Sequence, residues 1–136
     1  MKGRLIWSIF WALVGVFVIM ACTMFIPLVL RLPVGFNAFS AWIVFAGLGV
    51  TLLGLTVKAK MRRMLKIFLL LTGASAAGLA VFVILHNMLS ALLNTEEPVF
   101  FIIATIVCPI VFLIGAVGTI VLAIKNKPPK HSAQNI

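Results

Sequence analysis

Side chains able to do chemistry are few in this chain and far apart. Cys22 and Cys108 are its two cysteines, and His86 is the one imidazole inside an apolar segment, His131 lying in the terminal tail. With about 1.5 Å of rise per helical residue, the two thiols fall roughly 12 and 15 Å from the nearer ends of their segments. They could therefore share a level. If the first and last segments are neighbours, a disulfide or a soft-metal site is geometrically open to them, with Met20, Met24 and the Cys108-Pro109 step close by. Against this, the C-x-x-C spacing of membrane dithiol oxidoreductases is absent. Cysteine is also a common small buried residue, so the inert reading is preferred.

His86, Asn87 and Ser90 form a small polar group. Their position places them near the outer boundary of the third segment, above the level of the cysteines. Cys22, Cys108 and His86, the only candidate metal ligands, are thus not expected to converge. The favoured reading is an interfacial histidine hydrogen-bonded to backbone, Ser90 or Glu96. No cofactor is expected.

The remaining inventory excludes more chemistry than it suggests. There is no Asp, and the two glutamates, Glu96 and Glu97, adjoin the start of the last apolar segment. A proton-coupled transporter usually buries a carboxylate as its relay. A hydrolase needs an acid, base or activated nucleophile in a constellation. Neither is present, and no catalytic activity is expected. Small multidrug transporters share the size and helix count but carry an acid in their first helix, which this chain lacks.

The elements that must hold these residues follow from charge spacing. The 136 residues are 64% hydrophobic and 10% charged, against about 25% charge in a soluble domain. A transmembrane helix needs about 20 apolar residues. Uncharged stretches run Leu5 to Leu30, Leu32 to Val57, Ile67 to Thr95 and Pro98 to Ile124, and each is long enough. The first outlasts a signal-peptide core, so it reads as an uncleaved span. The expected fold is an all-α integral membrane protein, four transmembrane helices in an antiparallel up-down bundle. Its helices are expected over about 5–30, 39–57, 64–92 and 96–124 within a single transmembrane domain (1–124), followed by a mobile basic and polar cytoplasmic tail (125–136).

Basic residues beside the spans stay cytoplasmic. Lys2, Arg4, Lys58, Lys60, Arg62, Arg63, Lys66, Lys125, Lys127 and Lys130 fall on one side, and of the 11 Lys and Arg only Arg31 falls on the other. Both termini are therefore expected in the cytoplasm, in a plasma or inner cell membrane. The net charge of +9 implies contact with anionic headgroups at that face. Nucleic acid is not expected as a partner, since the basic residues flank helix ends without interleaved aromatics.

In lipid, close helix approach depends on small residues and hydroxyls. Gly47, Thr51 and Gly54 mark one such face on the second helix; Gly73, Ala77 and Ala80 mark the third, and Gly115 and Thr119 the fourth. Each set is expected to pack inside the bundle, with a homo-oligomer interface as the alternative. Pro109 should interrupt the fourth helix and leave the Thr105 carbonyl without its usual donor. The function expected from this inventory is that of a non-catalytic accessory or assembly subunit that acts through a membrane protein partner. A small oligomeric channel or facilitator using Thr72, Ser75, His86 and Ser90 is the first alternative. A thiol or soft-metal protein using Cys22 and Cys108 is the second.

Overall fold

The computed structural model describes residues 2–25, 38–95 and 98–126. Residues 26–37, which include the expected end of the first helix and Arg31, the acids Glu96 and Glu97, and the tail from Lys127 onward lie outside the described residues.

Hydrocarbon offers the backbone no hydrogen bonds, so an apolar segment crossing it must satisfy its own amides. Among the described residues the chain does this with four helices and no strand: α1 (Lys2–Phe25), α2 (Ala38–Lys58), α3 (Arg63–Leu93) and α4 (Pro98–Lys125). Each contains at least 19 consecutive residues apolar enough to cross a membrane. Large apolar side chains are exposed on all four, among them Val18, Ile43, Val50, Ile84, Leu92, Ile114 and Val117. In water so much exposed apolar surface would aggregate.

Helix ends follow local chemistry. At the end of α3, Asn94 takes the left-handed conformation (φ 50°), which asparagine tolerates better than most side chains. Between α2 and α3 the turn is tight, and Lys66 folds back across it. Its Nζ donates to the carbonyls of Val57 (2.8 Å) and Ala59 (3.4 Å). This places a cation at the negative end of the α2 dipole. Lys66→Met keeps the aliphatic stem and removes the ammonium. It should weaken the last turn of α2 by about 0.5 to 1 kcal/mol, seen as faster amide exchange at the end of α2 with the middle of the helix unchanged.

Pro109 has no N–H to offer Thr105. Over Ile103–Val107 the chain widens into a π-turn, and the Cys108 N–H donates to the Ile103 carbonyl, five residues back. The break anticipated at Pro109 thus takes the form of one extra residue in the preceding turn. That extra residue changes which side chains meet α3. Ala104 is buried, Phe100 stacks on Phe82 (6.2 Å, 25°), and Phe101 lies beside His86.

α3 packs closely against both α2 and α4. A Cβ built on Gly49 would come within 2.8 Å of Ala76 Cβ and 3.1 Å of the Gly73 carbonyl. One built on Gly115 would meet the Thr72 N at 2.8 Å and the Phe68 carbonyl at 3.1 Å. Only glycine lets these backbones approach so far. α1 joins through its side chains. Phe17 stacks on Phe112 (4.4 Å, 28°) and lies 6.1 Å from Phe45, which is itself 5.5 Å from Phe112. Three helices therefore meet at one aromatic cluster, continued by the buried Phe10, Leu13, Leu52, Leu69 and Ala116.

Candidate functional site

The candidate chemistry does not gather at one place. Cys22 is exposed on α1, whereas Cys108 is buried on α4, and both are free thiols. Cys108 Sγ lies beside the α3 backbone, 4.0 Å from a Cβ built on Gly78. Among the described residues no three of His, Cys, Asp and Glu come together in a group that could hold a metal ion.

The polar positions of α3 divide into two settings. Thr72 and Ser75 are buried and return their protons to the helix, Thr72 Oγ1 to the Phe68 carbonyl (2.8 Å) and Ser75 Oγ to the Thr72 carbonyl (2.9 Å). Further along α3, His86 and Ser90 are half-buried and, with Pro98 and Phe101 of α4, line a shallow notch of about 360 Å³. Leu79, buried, and Phe82, stacked on Phe100, separate the two settings. The stripe is therefore not continuous along the helix.

Small residues on α3 and α4 lie between helices. Gly73 faces Gly49 and Leu53, the backbone N of Ala77 lies 3.0 Å from a Cβ built on Gly49, and Gly115 abuts Thr72 and Phe68. Thr119 is fully buried, with its hydroxyl donating to the Gly115 carbonyl at 2.8 Å. The α2 face is different from the one expected. Gly47 and Gly54 are exposed with nothing within 4 Å of a built Cβ, and Thr51, also exposed, donates to the Gly47 carbonyl at 2.7 Å. The inward position is Gly49, in line with the buried Ala41, Phe45, Leu52 and Thr56. Two small-residue faces compete on α2, and the one carrying Phe45 and Leu52 fills the interior better.

Of the basic residues, Lys58, Lys60, Arg62 and Arg63 are exposed and Lys66 is half-buried. Arg62 has a structural partner that spacing did not reveal: its Nη1 donates to Asn126 Oδ1 at 2.7 Å, joining the α2–α3 turn to the end of α4. The aromatic cluster was also illegible, since ten of the 11 phenylalanines are spread over four apolar helices and carry no pairing signal. Among the described residues, two buried hydroxyls, Thr56 Oγ1 and Ser90 Oγ, have no hydrogen-bond partner.

Together these features define a multi-pass, all-helical membrane protein whose interior is apolar and aromatic. No known protein family matches the chain, and no curated protein or solved structure shows significant similarity to it.

Proposed function

We propose that this protein is a non-catalytic accessory or assembly subunit that binds a larger membrane protein through the outward face of α2. The observation that carries this reading is the exposed stripe of Gly47, Thr51 and Gly54, above which a built Cβ on either glycine meets nothing. Small residues at helical spacing let a second helix approach closely in lipid. Here the chain's own helices leave that face open. The interior supports a binding role over transport, because Phe17, Phe45 and Phe112 close its middle and the buried Thr72, Ser75 and Thr119 hydroxyls are bonded to backbone carbonyls.

The proposed topology is an up-down bundle with both termini cytoplasmic in the plasma or inner cell membrane. Contacts run in opposite sense along neighbouring helices: Val57 with Lys66 and Gly49 with Gly73, then Phe68 with Gly118 and Phe82 with Phe100. This order supports putting the α2–α3 turn and Lys125 at one end, where the proposed topology also puts Arg4. A cytoplasmic face of anionic headgroups would attract each of these cations by about 1 kcal/mol.

Purification from native membranes in mild detergent should recover the chain with a larger membrane protein. A Gly47→Leu, Gly54→Leu double variant should lose that partner more than tenfold while its own thermal unfolding is unchanged. Recovery only at multiples of 14.8 kDa would assign the stripe to self-association. A lone monomer, or a partner retained by the double variant, would sink the proposal.

A further inference from the structure

The π-turn in α4 has two opposed effects on the backbone. Over Ile103–Val107 the Cys108 N–H donates to the Ile103 carbonyl instead of that of Ala104, so the turn holds one residue more than an α-helix needs. This carries the chain away from the clash that the Pro109 ring makes with the Thr105 carbonyl in a regular helix. It also leaves the Ala104 carbonyl without a helical donor, because Cys108 is committed to Ile103 and Pro109 has no N–H. An unbonded carbonyl is costly in hydrocarbon. The proline therefore favours the wide turn, and the backbone bonding favours its closure.

Closure is a step of one residue. If the turn returns to α-geometry while Cys108–Lys125 stays in place, each residue of Pro98–Ile102 moves into the position its predecessor held, a rotation of about 100° and a shift of about 1.5 Å. The sequence suits both arrangements. Phe100 stacks on Phe82 (6.2 Å, 25°), and after the step Phe101 stands in its place, so an aromatic ring meets Phe82 either way. Phe100 passes to the position of the exposed Val99, where lipid receives a phenyl ring as readily as an isopropyl group. The place beside His86, occupied by Phe101 with the rings 5.4 Å apart, passes to Ile102.

We propose that the Pro98 end of α4 exchanges between these two registers, with Phe100 on Phe82 in one and Phe101 on Phe82 in the other. The exchange replaces phenylalanine by isoleucine beside His86 and turns a different set of side chains toward the lipid. It is a conformational switch that does not depend on the α2 face. A membrane component that packs better against one of the two arrangements would hold α4 in that register.

The test puts a single para-fluorophenylalanine at position 101 of the full chain in lipid nanodiscs and measures fluorine relaxation dispersion. A para fluorine lies on the ring-flip axis, so ring flips do not contribute. Exchange is expected at Phe101 and not in a second sample labelled at Phe112, beyond Pro109. Deleting Ile106, whose side chain is exposed, removes the extra residue and fixes the register with Phe100 on Phe82, so the dispersion at Phe101 should vanish. Pro109→Ala removes the clash and should raise the population of the second register about tenfold or more, to a resolved second resonance. Flat dispersion at Phe101 in the parent chain would overturn the proposal. So would dispersion that survives the deletion, equal dispersion at Phe112, or a Pro109→Ala spectrum without the second resonance. Should the deletion variant fail to fold, the parent chain and Pro109→Ala decide between them.

Discussion

Phe112→Ala should lower the free energy of unfolding by about 2 to 3 kcal/mol. Phe112 is 2% exposed and touches two rings from different helices, Phe17 at 4.4 Å and Phe45 at 5.5 Å. Truncation opens a cavity on the order of 100 Å³, and cavities cost about 24 cal/mol per Å³. In water the lost transfer energy would add to this. A helix that leaves the bundle in lipid remains in an apolar solvent, so the packing loss dominates. The expected result is a lowered midpoint in reversible unfolding by denaturing detergent in mixed micelles, read by circular dichroism. Phe112→Leu should recover about half the loss. A midpoint within error of the parent for Phe112→Ala would mean that the three rings do not hold α1 against α2 and α4.

Gly115→Val should be as damaging for the opposite reason, about 3 kcal/mol from overpacking. A Cβ there would meet the Thr72 Oγ1 at 2.5 Å and its backbone N at 2.8 Å, and the backbone cannot rotate aside as the end of a flexible side chain can. α3 and α4 would have to separate. That separation would also strain Thr119, whose hydroxyl is bonded to the Gly115 carbonyl. Gly47→Val is the matched control: the same substitution in a helix interior, with nothing within 4 Å of the new atoms' origin. It should change stability by less than about 0.5 kcal/mol. The informative quantity is the difference between the two variants. Equal losses would show that β-branching, rather than helix contact, sets the cost.

The candidate-site residues were legible in kind but not in place. Cys22, His86 and Cys108 stand out by residue type, yet nothing in their spacing distinguishes an exposed thiol on α1 from one packed on the backbone of α3. Lys66 and Arg62 read as topology signals, and charge pattern alone cannot say that one spans the turn to cap α2 and the other holds Asn126. Pro109 announced a break. The π-turn that absorbs it, and the resulting placement of Phe101 beside His86, depend on what α3 presents opposite. Thr56 and Ser90 are the sharpest cases, because their unmet hydroxyls appear only when the bonds of the other helix hydroxyls are known.

What the sequence determined by itself was the number of helices and their approximate extent. The reason is energetic: each charged residue is excluded from about 30 Å of hydrocarbon and each unsatisfied amide is costly there, so charge spacing marks the spans directly. What only the tertiary structure decided was which side of each helix turns inward. In water, polarity separates the two sides of a helix. In lipid both are apolar, and the choice passes to fit: Gly49 rather than Gly47, and three phenylalanine rings that meet only because α1, α2 and α4 bring them to one point.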